Sequence, residues 1–286
     1  MDLFIRSNQI ITENNCLDGT IAVKDGKIVG LYGPEVTINA KKVIDARGKV
    51  VLPGAIDPHA HIRFPASPER EDLISGTTSA AAGGFTTIFE MPVTSPGVRT
   101  AEILRERMKM AREKSVIDIA LYAGGGHGAS EHFLEMAEVG AVAYKIILHR
   151  IPHGRDNEFF GICQNDDGEL LSDLYKLKEA NRVVVIHAEC DSILEYAQKQ
   201  VERDGLIDRS AHARTHPLIA ELASISRLIL FAQTTGTPIS IAHVSSPQSA
   251  QMIKEAKQRG VKIYACLLYT SPSPRDGATS RMPSSA

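Results

Sequence analysis

The chain has 286 residues, of which 43% are hydrophobic and 23% are charged, and its formal net charge is -2. These ordinary globular values give no sign of a nucleic-acid, polyanion or membrane-surface partner. The four cysteines form no CxxC pair, so neither a disulfide framework nor a cysteine-based zinc site is expected. The first residues lack the pattern of a signal peptide, and no apolar run approaches the ~20 residues of a membrane span. We therefore expect a cytoplasmic protein.

Residues 1–50 are predicted to form a small β module. The dipeptide Asp25-Gly26 is typical of a hairpin turn between two of its strands. The predicted strands are Leu3–Ile11, Gly19–Val23, Lys27–Tyr32 and Lys42–Ala46. Because a few strands alone are marginally stable, we expect this module to be part of a β-sandwich that needs partner strands.

From residue 51 onwards, apolar β-branched runs alternate with helical patterns. The predicted strands are Val51–Ile56, Phe85–Met91, Asp118–Ala123, Ala141–Leu148, Val183–Ala188, Ile239–Val244 and Val261–Ala265. The predicted helices are Glu71–Ala82, Ala101–Lys114, Ser130–Glu138, Asp167–Asn181, Leu218–Thr234 and Pro247–Arg259. Serial β–α units predict an α/β fold with a parallel sheet. Seven of them fit a (β/α)8 barrel over residues 51–265 that lacks its last unit.

Residues 266–286 differ in composition from the rest of the chain. They are rich in Ser and Pro and continue no β–α unit, which is typical of a disordered tail. The stretch CLLYTSPSPRD can also be encoded by a transposase-end sequencing adapter, and SRMPSSA by the flow-cell end of such an adapter. We therefore expect this segment to be non-native and exclude it from the fold.

Four histidines and one lysine fall at the predicted strand ends: His59, His61, Lys145, His187 and His243. Residues i and i+2 of a strand share a face, so the two imidazoles of the HAH motif point the same way. In a barrel of this kind, active groups lie at the carboxyl ends of the strands. A lone histidine is more often structural, but four at matching positions favour a metal site.

Other polar residues near the strand ends are weaker candidates for this site. Asp57 shares the face of the HAH motif and is a candidate partner for its imidazoles, and His127 follows three glycines at a strand end. The remaining histidines are expected to be solvated or packed side chains: His132, His149, His153, His212 and His216. Lys145 is unusual beside metal ligands because a cation would repel it. It would either bind an anionic substrate group or lose its proton and be modified.

The segments LPGAIDPHAHIR and GTTSAAAGGFTTIFEMP resemble the cyclic amidohydrolases of the dihydroorotase, allantoinase and hydantoinase family, from about Met1 to Ala265. The resemblance implies that His59 and His61 bind one divalent metal ion and that His187 and His243 bind a second, zinc being the usual metal. It also implies that Lys145 carries a carbamate derived from carbon dioxide and bridges the two ions. The family's catalytic aspartate follows the eighth strand, so no residue of this chain is assigned that role.

The family implies hydrolysis of a cyclic amide or ureide by a homo-oligomer, with no nucleic-acid or membrane partner. The EMPVTSP and DIALYAGGG segments favour an allantoinase- or hydantoinase-like activity. Arg63, two residues after the HAH motif, instead matches the arginine with which dihydroorotases bind a substrate carboxylate, unless it pairs at the rim with Glu69 or Glu71. A third alternative is a non-catalytic scaffold of the dihydropyrimidinase-related type, but all five ligand positions are intact. We expect the chain, without its last barrel unit, to be inactive.

Overall fold

The computed structural model describes residues 1–37, 39–66, 68–205 and 210–267. The chain divides into two compact units. The first contains residues 1–56 and 84–86, and the second contains residues 57–83 and the described chain from Thr87 onwards. The predicted non-native tail lies outside the described residues except for Cys266 and Leu267, which end a strand.

The first unit contains a five-stranded sheet. Its strands are β1 (Leu3–Ile11), β2 (Cys16–Lys24), β3 (Lys27–Tyr32), β4 (Lys42–Asp45) and β5 (Val50–Val51). They lie in the order β3-β2-β1-β4, and β5 also pairs with β1. The β2–β3 hairpin turns at Asp25 and Gly26, which have φ values of 51° and 72°, as a primed hairpin turn requires. All four predicted strands are confirmed.

The remaining elements alternate between strands and helices. The strands are β6 (Ala55–Ala60), β7 (Phe85–Glu90), β8 (Asp118–Leu121), β9 (Ala123–Gly124), β10 (Tyr144–Ile147), β11 (Val184–His187), β12 (Ile239–Val244) and β13 (Ile263–Leu267). The helices are α1 (Leu73–Ala82), α2 (Ala101–Lys114), α3 (Phe133–Val139), α4 (Asp156–Phe159), α5 (Asp167–Glu179), α6 (Asp191–Arg203), α7 (Ser210–Thr215), α8 (Leu218–Thr235) and α9 (Pro247–Gln258).

Neighbouring strands follow chain order. One sheet has the order β6-β7-β8, and the other has the order β9-β10-β11-β12-β13. The β7–β8 pair and every pair from β9 to β13 are parallel. Tyr122 alone separates β8 from β9 in the sequence. The predicted α/β organisation with parallel strands is therefore confirmed.

Several predicted boundaries differ from the structure. The predicted strand Val51–Ile56 is divided between β5 and β6, so His59 lies inside a strand and not after it. Helix α6 was not predicted, although Ile193, Ala197 and Val201 recur at the four-residue spacing of one helix face and the last two are buried. Ser130 begins a short 3-10 turn and does not cap α3, which starts at Phe133. Gly140 and Gly236 end their helices in the left-handed conformation, as glycine commonly does.

The main hydrophobic core lies between the parallel strands and the helices. Fully buried side chains from both layers meet there, including Leu104, Leu174, Ile186, Leu228 and Ile241. The segment that contains α8 is long and apolar enough to span a membrane by composition alone. One face of α8 belongs to this core, however, as expected for an interior helix.

Candidate metal centre

The strands bring the four predicted histidines into one cluster. His59 lies in β6, His61 follows it, His187 ends β11 and His243 lies in β12. The ring centroid of His59 lies 5.3 Å from that of His61 and 4.6 Å from that of His243. The rings of His187 and His243 are 5.4 Å apart. Residues separated by up to 184 positions therefore share one site, as the matching strand ends predicted.

Lys145 supplies the fifth group from β10. Its side chain is 2% exposed, and its Nζ atom is buried and has no hydrogen-bond partner among the described residues. Burial lowers the pKa of Lys145 from 10.5 to about 7, since the charged ammonium is deprived of water. An appreciable fraction of this side chain is therefore a neutral amine near pH 7.

Three of the imidazoles, those of His59, His61 and His243, are held in their neutral form. Burial, followed by the charge of Lys145, lowers the pKa of His59 to about 2 and the pKa values of His61 and His243 to about 4. Neutral imidazole is the form that binds metal ions. The Nε2 atom of His59 is also buried, and the part of the chain that the structure describes offers it no hydrogen-bond partner. Such orphaned polar atoms are costly unless a further group satisfies them.

The donor set fits divalent metal ions of the zinc type. Imidazole nitrogen is a common zinc ligand, and a neutral lysine amine can be converted into an oxygen ligand. Within the described ranges, no three His, Cys, Asp or Glu side chains alone enclose a point suited to a cation. His187 directs its Nε2 atom to Glu189 Oε2 at 2.6 Å. Binding a metal ion through this nitrogen would require His187 to give up that contact.

Arg63 lies next to the histidine pair, but its side chain does not have the predicted partners. Its guanidinium lies 3.9 Å from the carboxylate of Glu158, where the sequence suggested Glu69 or Glu71. Glu158 is distant in sequence and belongs to α4, a short helix that was not predicted. The backbone of Arg63 has a φ of 58°, which is uncommon for a residue with a side chain.

The other candidates lie at the edge of the cluster or outside it. Asp57 accepts a hydrogen bond from the backbone N–H of His59 at 2.9 Å. The His127 ring pairs with Glu169 at 2.7 Å and is more than half exposed. His149, expected to be an ordinary packed or solvated residue, has its ring centroid 6.1 Å from that of His187. No local pattern around His149 predicts this approach.

Sequence reasoning also missed Glu90. This residue ends β7, is 4% exposed, and accepts backbone hydrogen bonds from Ile62 and Arg63. A carboxylate in the apolar strand FTTIFEMP was the available signal, because Glu is rarely buried without a partner.

Parallel strands that bring imidazoles and a buried amine together at one site define an α/β protein with a candidate metal centre. The family described as dihydro-orotase-like matches residues 48–249. The chain belongs to this family.

Curated relatives and solved structures agree with the assignment. An allantoinase of Bacillus velezensis is 34% identical over 263 residues, and an L-hydantoinase of Paenarthrobacter aurescens is 30% identical over 264 residues. Each alignment covers 92% of this chain and 56% of the relative. The structure of L-hydantoinase (dihydropyrimidinase) from Arthrobacter aurescens matches with a TM-score of 0.86 at 30% identity, over 92% of this chain and 57% of that protein. The chain thus spans little more than half the length of these proteins.

Proposed function

We propose that the full-length protein hydrolyses the carbon–nitrogen bond of a cyclic amide or ureide, as an allantoinase- or hydantoinase-type enzyme. The observation that carries this proposal is the cluster of four imidazoles beside the unpartnered amine of Lys145. The relatives named allantoinase and L-hydantoinase supply the reaction class.

In this proposal, His59 and His61 hold one divalent ion, and His187 and His243 hold a second. Zinc suits the imidazole ligands. The neutral amine of Lys145 would react with carbon dioxide to form a carbamate, with release of one proton, and the carbamate would supply anionic oxygen ligands to the metal ions. Bound metal ions would acidify a water molecule and polarise the substrate carbonyl. Burial by the surrounding strands keeps the imidazoles of His59, His61 and His243 neutral and ready to bind.

The architecture proposed for the full-length protein is a (β/α)8 barrel with a small β-sandwich. The similarity to hydantoinase structures supports it, as do the parallel strands in chain order. The sheet of β1–β5 leaves Ile28, Val29 and Val43 48–68% exposed, which is expected of a sheet that packs against a second layer. The catalytic aspartate of the family is assigned to a part of the protein beyond β13.

Dihydroorotase activity is the second candidate because Arg63 stands two residues after the HAH motif, with its side chain one-third exposed. A free guanidinium there would bind a substrate carboxylate, whereas a guanidinium paired with Glu158 would not. A substrate panel of allantoin, hydantoins, dihydrouracil and dihydroorotate separates the two candidates. Hydrolysis of dihydroorotate alone would favour the second candidate and contradict the first.

The metal centre is tested in the same full-length protein by elemental analysis and by the variant His59→Asn. We expect bound zinc or a related divalent metal in the wild type, and loss of at least one ion together with activity in the variant. His212→Asn is a matched control, since His212 lies in α7 and not among the clustered rings. Wild-type protein that holds no metal would contradict the proposal and favour the scaffold alternative.

A further inference from the structure

Glu90 joins the end of β7 to the segment that carries the histidine pair. Its Oε2 atom accepts the backbone N–H of Ile62 at 2.9 Å, and its Oε1 atom accepts the backbone N–H of Arg63 at 2.7 Å. The next residue of the chain, Met91, donates its own N–H to the carbonyl of Ala60 at 2.9 Å. Three contacts thus bind the end of β7 to the residues on either side of His61.

The segment held in this way has an unusual backbone. Arg63 has a φ of 58°, in the left-handed region that favours glycine. The hydroxyl of Thr94 donates to the carbonyls of Arg63 and Phe64, at 2.9 Å each. The N–H of Arg63 is therefore fixed by Glu90 at the end of β7, and its C=O by Thr94 in the segment that follows β7. The chain turns sharply here immediately after the second histidine.

The apolar surroundings of Glu90 make it energetically unfavourable to bury a charged carboxylate there. Phe64, Met91, Leu121 and Tyr122 line the same small cavity, and burial raises the pKa of Glu90 to about 8 against the opposing effect of the two N–H bonds. An apolar side chain would fill the space without this cost but would leave two consecutive amides without their acceptor. The contacts of Glu90 therefore indicate that its role is to accept hydrogen bonds from these two amides.

We propose that Glu90 is a positioning residue: its carboxylate fixes the turn from His61 to Arg63 and so sets the direction of the His61 imidazole and the Arg63 side chain. This inference rests on the proposed metal centre. Glu90 touches neither a ligand nitrogen nor the guanidinium, so its effect is transmitted through the backbone of Ile62 and Arg63. Groups that orient metal ligands in this indirect way commonly affect affinity by about 10- to 100-fold.

The test uses full-length protein stripped of metal and titrated with Co²⁺, whose absorption spectrum reports ligand geometry. In Glu90→Gln, one acceptor oxygen becomes an NH₂ donor that faces a backbone N–H, so one of the two hydrogen bonds is lost. We expect an altered Co²⁺ spectrum, about 10- to 100-fold weaker Co²⁺ binding, and faster hydrogen exchange of the Ile62 and Arg63 amides. Thr94→Val, which frees the carbonyl side of the same turn, should change the spectrum in the same direction but less.

Asp173→Asn is the matched control. Asp173 is a buried carboxylate on α5 that is 6% exposed and accepts a bond from Gln164 at 3.2 Å. It should leave the Co²⁺ spectrum and affinity at wild-type values. If Glu90→Gln or Thr94→Val also binds Co²⁺ with the wild-type spectrum and affinity, the positioning role is overturned while the metal centre stands. Wild-type protein that binds no Co²⁺ overturns the metal centre and this inference with it.

Discussion

Replacing Lys145 by methionine is expected to stabilise the metal-free protein while abolishing metal binding. An unfolded lysine retains its proton at pH 7, since its pKa is 10.5, whereas burial lowers the pKa in the folded chain to about 7. Each tenfold change in proton affinity corresponds to about 1.4 kcal/mol. At pH 7 the buried amine therefore lowers the free energy of unfolding by about 4 kcal/mol. Methionine has a similar length and carries no charge, so it removes this cost.

The direction of this pKa shift determines whether the free energy of unfolding rises or falls with pH. The folded-state pKa lies below the unfolded one, so the unfolded chain binds more protons between pH 7 and pH 10.5. The free energy of unfolding of the wild type should therefore rise across this range, and that of Lys145→Met should lack this rise. Urea denaturation of chelator-treated full-length protein at pH 7 and pH 10, followed by circular dichroism, measures both effects.

Lys109→Met controls for the loss of a lysine, because Lys109 is exposed on α2. It should change the free energy of unfolding by less than about 0.5 kcal/mol. A Lys145→Met variant that is no more stable than the metal-free wild type at pH 7 would refute this reasoning. So would a wild type whose stability shows no additional rise with pH relative to the variant.

Three further predictions concern the scaffold, each measured by urea denaturation. Leu174→Ala removes a side chain that is 0% exposed and should cost about 2–5 kcal/mol, whereas Leu230→Ala, at an exposed position of α8, should cost far less. Gly236→Ala places a side chain at a φ of 72° and should cost about 1 kcal/mol; no loss would contradict the left-handed helix end. Burial raises the pKa of Asp173 from 3.8 to about 6, so its contribution to stability is present below pH 3.8 and lost as the pH rises through 6. Asp173→Asn should remove that decline, and an unchanged profile would show that the carboxyl is not perturbed.

The periodic elements were largely predictable because their signals are local. Helix α2 has its predicted bounds Ala101–Lys114, and β12 has its predicted bounds Ile239–Val244. Helix α6 was missed although its apolar residues Ile193, Ala197 and Val201 have the spacing of one helix face, so this helix was within reach of the sequence pattern. The division of the first predicted strand into β5 and β6 depends on pairing with different partners, which no local pattern encodes.

The predicted ligands lie close together because the carboxyl ends of parallel strands meet at one edge of the sheet, even when the strands are distant in sequence. The partners of those ligands were not predictable in the same way. Glu158 approaches Arg63 from a four-residue helix, Glu189 approaches His187 from the loop after β11, and both contacts depend on loop conformation. Glu90 was overlooked because the donors to its side chain are the backbone N–H groups of Ile62 and Arg63, which leave no trace in side-chain spacing.

The irregular backbone at the candidate site explains why strand periodicity alone did not predict its full geometry. Ile241 pairs with Ala265 and Val244 pairs with Leu267, so β12 contains one more residue than β13 across this stretch. The extra residue produces a β-bulge at which His243 adopts a φ of 58°, the same value as Arg63 after β6. Glycine would relax the backbone at either position but would remove the imidazole or the guanidinium. The two strained backbone positions, His243 and Arg63, therefore carry side chains of the proposed site. Strained backbone conformations are expected to cluster at functional sites.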